Sequence, residues 1–307
     1  THTYWMLLAS RIIAGVGGSS IGVAQAYIAD VTTKEERSKG MGLIGAAFGL
    51  GFVFGPLIGG FLAKYGYNVT GFTSAGFSTL AFLSTLLFLP ESHRSINKQL
   101  KIGKKLFDIE SIKKIFKKPD LAIVIILFFL LTFSIANIYG TFALLGYKVY
   151  GFTDLQNGYI FGIVGLVGAI VQGGLIRVFA KYISDIKLVT IGAFCMMIGL
   201  GLMPYGGNFL GLSIITIVLA LGTGILQPTL LSLASKITTE EEQGVTLGIN
   251  QSFSSFARVL GPLWGGFAFE FLGYPFPFLT GAAFTFLILI ISLTYLPKKI
   301  LMEKNAV

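Results

Sequence analysis

The chain has 307 residues, of which 54% are hydrophobic and only 12% are charged, and its mean hydropathy is +0.79. About a quarter of the residues in a soluble domain are charged, so this composition excludes an ordinary soluble protein and indicates a polytopic membrane protein. The net charge of +9 does not indicate a nucleic-acid partner, because the Lys and Arg residues lie mainly in loops between apolar segments.

Nine apolar segments are long enough to cross the hydrocarbon core of a bilayer, which requires about 20 helical residues each. Backbone groups in lipid must be hydrogen-bonded internally, so we predict that all nine segments are helices and that the fold is an all-α membrane helix bundle. In chain order, the predicted spans cover approximately residues 5–29, 40–63, 72–89, 121–146, 158–180, 188–204, 209–235, 245–269 and 277–296.

The distribution of Lys and Arg predicts the orientation of these spans. When alternate loops are assigned to one side, that side holds nineteen of the 23 basic residues and the other side holds only Lys64 and Lys148. By the positive-inside rule the Lys-rich side is cytoplasmic. We therefore expect a cell-membrane protein, in a bacterial inner membrane, whose C-terminus is cytoplasmic and whose first residue lies outside. The basic loop at 91–119 is either an amphipathic helix on the inner leaflet or a solvated tether.

A Gly-Pro-Leu-x-Gly-Gly motif occurs twice, at residues 55–60 and again 206 residues later at 261–266. The copies lie in the second and the eighth predicted helix, a period of six helices, which indicates two six-helix repeats related by an axis along the membrane normal. We predict that residues 1–90 hold the last three helices of the first repeat, that 91–119 connect the repeats, and that 120–307 form the complete second repeat. Nine of twelve helices are then present, and three N-terminal helices are expected to be missing.

Several stretches resemble major facilitator superfamily transporters. The sequence Arg-Ile-Ile-Ala-Gly-Val-Gly-Gly at 11–18, with Tyr-Ile-Ala-Asp at 27–30 and Glu-Arg at 36–37, resembles their fourth helix and the loop after it. The Gly-rich run at 49–60 resembles the fifth-helix motif of their drug–proton antiporters, and Leu-Pro-Glu-Ser at 89–92 resembles the exit from their sixth helix. The resemblance covers nearly the whole chain and points to the tetracycline and multidrug efflux branch.

This resemblance implies a monomeric secondary transporter that exports a small lipophilic compound by alternating access, with protons as the coupling ion. Two alternatives stay open. The chain is an inactive fragment of such a transporter, or it is a facilitator of sugars or other metabolites.

The resemblance also implies coupling and gating residues. It associates Arg11 with proton coupling and pairs Asp30 with a basic loop, although a helix cap also explains Asp30. It places the glycine-proline motif near the interface of the two halves, where tight helix packing is the alternative role. Arg258 either faces the cavity or hydrogen-bonds helix ends. The full predicted set comprises Arg11, Asp30, Gly51, Gly55, Pro56, Gly59, Gly60, Arg258, Gly261 and Pro262.

Uncharged polar residues within the spans are candidates for the substrate path. Polar groups are costly in lipid and are expected to face the bundle, where they either contact a substrate or hydrogen-bond a neighbouring helix. The predicted substrate-binding residues are Gln25, Asn137, Gln172, Gln227, Asn250 and Gln251, with Tyr139 and Tyr159 nearby.

All fourteen carboxylates and both histidines lie in loops or at the ends of the predicted spans. Proton relays use buried Asp, Glu or His, so a proton carrier is expected in the missing helices, or else the chain is not proton-coupled. An intramembrane enzyme is not expected, since the spans lack clustered catalytic groups. No phosphate-binding loop is seen, and we predict no nucleotide, metal or other cofactor.

Overall fold

The computed structural model describes residues 3–17, 23–24, 27–28, 31–32, 34–91, 116–238 and 240–296, with side chains except at 16–17, 34–46, 48, 52 and 240–245. Within these ranges the secondary structure is helical and includes no strand. The helices described are α1 (Tyr4–Gly17), α2 (Lys34–Ala63), α3 (Tyr67–Phe88), α4 (Pro119–Lys148), α5 (Asp154–Tyr182), α6 (Asp185–Leu202), α7 (Phe209–Lys236), α8 (Glu240–Phe267) and α9 (Phe276–Thr294).

These nine helices confirm the predicted all-α fold and coincide with the nine predicted spans. Most helices begin a few residues before the predicted span, as α2 does at Lys34, because a helix continues into the interfacial region where a polar first turn is tolerated. Part of the predicted span 5–29 lies outside the described residues. So does most of the predicted basic loop at 91–119.

Six of the described helices, α3 to α7 and α9, are long and apolar enough to cross a bilayer. The helix α8 is as long as α7 but less apolar, because its sequence includes polar residues such as Asn250, Gln251 and Arg258. An amphipathic helix within a membrane bundle keeps its polar face away from lipid.

The chain divides into two compact units. One contains residues 1–48 and 71–104, and the other contains 49–70 and 105–307. The larger unit therefore includes the second half of α2 together with α4 to α9. The division into two six-helix repeats with boundaries at residues 90 and 119 stays a prediction.

The core of the larger unit is apolar and closely packed. Leu127 and Leu131 of α4, Met196 of α6, Leu226 of α7 and Phe278 of α9 have fully buried side chains. Lipid tails are as apolar as these side chains, so dispersion forces and close approach of the helices stabilise the bundle. Close approach is clearest where α6 crosses α7, since a Cβ on Gly199 would lie 2.7 Å from the Leu219 Cβ.

Two helices of the larger unit contain π-helical turns. The stretch Val171–Leu175 interrupts α5, and Ala268–Leu272 extends α8. A π-helical turn accommodates one more residue than an α-helical turn and changes the face that the following residues present.

At the end of the bundle that carries Lys148, four short turns connect consecutive helices. Each turn contains a glycine with positive φ: Gly66, Gly151, Gly207 and Gly273. This backbone region strongly favours glycine, so these residues allow the helices to reverse direction within a few residues. Lys148 also forms a 3.8 Å ion pair with Glu270, which links the ends of α4 and α8.

Tyr150 connects two of these turns. Its hydroxyl donates a hydrogen bond to the Met203 carbonyl at 2.9 Å and accepts one from the Gly206 N–H at 2.8 Å, while its ring stacks on Phe152. Burial raises the pKa of the Tyr150 hydroxyl above 10.0, although hydrogen bonds from Gly206 and Gly207 act in the opposite direction. The neutral hydroxyl, which can donate and accept at once, is therefore the form that connects the turns.

We predict that Tyr150→Phe lowers the free energy of unfolding by about 1 kcal/mol, because two backbone groups lose a partner. The contribution of the hydroxyl is complete below pH 10 and is lost as the pH rises through the raised folded-state pKa. Thermal unfolding of the purified protein between pH 7 and 11 measures both effects. Tyr147→Phe, at a tyrosine that is 71% exposed, is the control. Equal melting temperatures for the two variants would contradict the prediction.

Candidate functional site

The first copy of the glycine-proline motif lies where α2 crosses α5. A Cβ on Gly60 would lie 2.8 Å from the Asp154 carbonyl oxygen and 3.3 Å from the Gly158 Cα. A Cβ on Gly158 would lie 2.7 Å from the Pro56 carbonyl oxygen. Real Cβ atoms do not approach other atoms this closely, so the two backbones touch only because both positions are glycine.

The contact continues along the two helices. A Cβ on Gly162 would lie 2.8 Å from Leu57 Cδ2, and one on Gly49 would lie 3.7 Å from the Ala169 Cβ. Pro56 lies within this contact and lacks the N–H that would continue the hydrogen-bond ladder of α2, so it favours a bend there. The second half of α2 therefore follows α5 over several turns.

A side-chain hydrogen bond closes the crossing at one end. The Tyr67 hydroxyl, at the start of α3, donates to Asp154 Oδ2 at 2.9 Å. Asp154 lies in the first turn of α5, where a negative charge is favourable, and Thr153 caps the same turn by accepting from the Gln156 N–H. Asp154 takes part in both contacts, because its side chain accepts from Tyr67 and its backbone carbonyl lies against Gly60, so the hydrogen bond and the backbone contact stabilise the same arrangement.

The second copy of the motif packs against α4 and uses different glycines. A Cβ on Gly261 would lie 2.8 Å from the Asn137 nitrogen, and one on Gly265 would lie 3.2 Å from Thr141 Cγ2. The counterpart of Gly60 is Gly266, and a Cβ there would meet nothing within 4 Å in the described structure. Among the described residues, the two copies contact their neighbours through different positions of the motif, and the symmetry relation between the copies stays a prediction.

Asn137 is at the centre of the second crossing. Its side chain is fully buried, and its Nδ2 donates to the Pro277 carbonyl of α9. Its Oδ1 lies against Gly265 with no hydrogen-bond partner among the described residues. Asn250 is also buried, with 4% of its surface exposed. For both residues this burial favours the helix-contact interpretation over substrate contact.

The other predicted substrate residues are distributed over several helices. Gln172 in the π-helical stretch of α5, Gln227 in α7 and Gln251 in α8 are all exposed. No hydrogen bond joins these three side chains to one another in the described structure. Gln25 lies outside the described residues, as does Asp30. The substrate path along these residues stays a prediction.

The predicted coupling and gating residues differ in exposure. Arg11 is exposed on α1 and Arg258 is exposed on α8. In the two motif copies, Gly51, Gly55 and Pro262 are exposed, Pro56 and Gly59 are half-buried, and Gly60 and Gly261 are buried. The described residues contain no group of three or more His, Cys, Asp or Glu that could hold a metal ion.

The sequence analysis did not identify Gly158, Tyr67 or Asp154. Gly158 and Gly162 are four residues apart on α5, and this small-xxx-small spacing could have predicted a close helix contact. No sequence signal connects Tyr67 with Asp154, because the two residues are 87 positions apart and both lie at helix ends.

Comparison with known proteins gives the family. A family model described as the Major Facilitator Superfamily matches residues 1–218 and, in a second match, residues 178–305. The chain belongs to the Major Facilitator Superfamily. The predicted resemblance is therefore confirmed, and the protein is a multi-pass membrane transporter of this superfamily.

Two relatives of this superfamily member are named as resistance proteins. It is 32% identical over 281 residues to multidrug resistance protein 1 of Bacillus subtilis, covering 91% of this chain and 70% of the relative. It is 30% identical over 269 residues to a class E tetracycline resistance protein of Escherichia coli, covering 87% of this chain and 65% of that protein.

A solved structure supports the superfamily fold. The crystal structure of the human organic anion transporter MFSD10 matches with a TM-score of 0.68 and 22% identity, covering 95% of this chain and 72% of that chain. At this identity the likeness shows the fold alone.

We predict that Gly60→Ala destabilises the α2–α5 crossing by about 1–3 kcal/mol, because the added methyl forces two backbones apart. The melting temperature of the purified protein measures the effect. Gly266→Ala is a matched control, since Gly266 occupies the equivalent motif position and its Cβ would meet nothing within 4 Å in the described structure. A Gly60→Ala variant as stable as Gly266→Ala would contradict the backbone contact.

Proposed function

We propose that this transporter is a secondary active exporter that moves a small lipophilic compound by alternating access, coupled to protons. The observation that carries the proposal is the backbone contact between Gly60, in the first glycine-proline motif, and Gly158 of α5. By the 206-residue period, α2 comes from the first repeat and α5 from the second. At Gly60 and Gly158 no side chain lies between the two backbones, although Leu57 packs against Gly162 farther along, and we propose that α2 and α5 move against each other at this crossing.

The end of this crossing also suits a change of conformation. The hydrogen bond from Tyr67 to Asp154 is exposed to solvent and can break without leaving a buried polar group unpaired. The Gly60 contact, by contrast, depends only on shape. In the proposed cycle, the hydrogen bond and the glycine contact form together in one state and separate together in the other.

The direction of transport and the type of substrate rest on the relatives. Their names concern multidrug and tetracycline resistance, at 32% and 30% identity. Coupling to protons rests on the resemblance of the motif at 49–60 to drug–proton antiporters. Arg11 is the proposed coupling residue among the described side chains, and Asp30 is a second one outside them.

The proposed location is the bacterial inner membrane, with a cytoplasmic C-terminus. Nineteen basic residues on one side against two on the other support this orientation. Both resistance relatives come from bacteria. We also propose that the transporter works as a monomer.

Transport in membrane vesicles tests the proposal. We expect inside-out vesicles containing the full-length protein to accumulate ethidium or a tetracycline when a proton gradient is imposed, and to release it when a protonophore is added. Gly60→Ala should slow accumulation, because the crossing can no longer close. Accumulation that is insensitive to the protonophore would remove the proton-coupled part of the proposal. Absence of any gradient-driven or passive flux would contradict transport of these compounds.

A further inference from the structure

A polar stripe runs along the middle of α8. Gln251, Ser255 and Arg258 are all exposed. At 3.6 residues per turn, these three residues lie within an arc of about 60° and span about two turns. The adjoining side of α8, about 90° around the helix axis, includes Asn250, Ser254 and Gly261 and is buried. The stripe is therefore a separate face of the helix, and the α4 contact does not cover it.

Arg258 carries a charge near the centre of this helix. Glu240 precedes it by eighteen residues, about 27 Å along the axis, and Glu270 follows it by twelve, about 18 Å. Glu270 pairs instead with Lys148 at the end of the bundle. Among the described residues, no carboxylate forms an ion pair with Arg258.

A neutral group of α4 also interacts with Arg258 in the described structure. The Tyr139 side chain of α4 is within electrostatic range of the Arg258 guanidinium, and it is 47% exposed. A phenol hydroxyl can donate a hydrogen bond to an anion that Arg258 also binds. Arg258 and Tyr139 come from the two helices that the second glycine-proline motif holds together, so their relative position is fixed by the contacts at Gly261 and Gly265.

An exposed arginine at this depth is costly if it faces lipid, and the cost favours a position in a water-filled cavity. A cation in such a cavity attracts negative charge, and a guanidinium is well suited to bind a carboxylate through two parallel hydrogen bonds. The stripe offers additional partners in the Ser255 hydroxyl and the Gln251 amide.

We propose that Arg258 and Tyr139, with Ser255 and Gln251, bind the negatively charged group of an organic anion, so that the exported compound is anionic or zwitterionic. This inference rests on the proposed transport function for its biological role. Binding of an anion at this site does not depend on the proposed function, because binding can be measured without transport.

Two dyes of opposite charge test the inference on the full-length protein. Fluorescein is an aromatic anion at neutral pH, and ethidium is an aromatic cation. Binding of each dye to the detergent-solubilised protein is measured by fluorescence polarisation, and accumulation of each is measured in inside-out vesicles. We expect Arg258→Gln to weaken fluorescein binding by about ten- to a hundredfold, the effect of losing hydrogen bonds to a charged group, and to leave ethidium binding unchanged or stronger.

Three further variants separate binding from folding. Arg258→Lys keeps the charge and should retain fluorescein binding within about tenfold of the wild type. Tyr139→Phe should weaken it less than Arg258→Gln does. Arg177→Gln removes an exposed positive charge near the end of α5 and should leave both dyes unaffected. Melting temperatures of all variants identify any that fail to fold.

The outcomes distinguish this inference from the proposed function. Selective loss of fluorescein binding in Arg258→Gln supports the anion site, even if neither dye is transported, in which case only the proposed function fails. The inference is overturned if the wild type does not bind fluorescein, if Arg258→Gln binds it normally, or if this variant loses both dyes equally. Transport of ethidium without any Arg258-dependent binding of fluorescein would leave the exporter proposal intact and exclude the anion site.

Discussion

The backbone contact between α2 and α5 is the constraint that holds the second half of α2 against the larger compact unit. Helices in a membrane gain little from hiding apolar surface, so their packing relies on how closely they can approach. At Gly60 and Gly158 the approach is limited only by backbone atoms. This contact explains why residues 49–70 group with the larger compact unit although α2 begins in the smaller one.

The same six-residue motif serves two structural roles. In its first copy, Gly60 faces α5, whereas in its second copy Gly261 and Gly265 face α4. The second crossing also contains the buried amide of Asn137, which connects α4 to α9. A crossing that encloses a buried hydrogen bond resists separation more strongly than one held by shape alone. The two copies therefore differ in how readily their contacts can be broken.

Much of this fold was predictable from the sequence because membrane helices leave a strong signal. The apolar lengths predicted all nine helices, and short sequence stretches such as those at 11–18 and 49–60 gave the superfamily resemblance that the family comparison confirms. Helix ends were less predictable, since the apolar core stops before the helix does. The burial of Asn137 and the exposure of Gln172, Gln227 and Gln251 were not predictable, because a polar residue in an apolar segment gives no indication of which neighbour it faces. The pairing of Tyr67 with Asp154 depends on how two distant turns meet in three dimensions.

The π-helical stretch in α5 separates two parts of one helix that perform different tasks. The part before Val171 holds Gly158 and Gly162 against α2, while the part after Leu175 carries Arg177 and Lys181. One extra residue in the turn rotates the second part by about 100° relative to an uninterrupted α-helix. Both parts can therefore present suitable faces at once: a glycine face at one end and a basic face at the other. The length of this stretch is therefore a constraint on the sequence, although no single side chain in it is responsible. Deleting one residue within the stretch would turn one part of α5 away from its neighbours and leave the contacts of the other part unchanged.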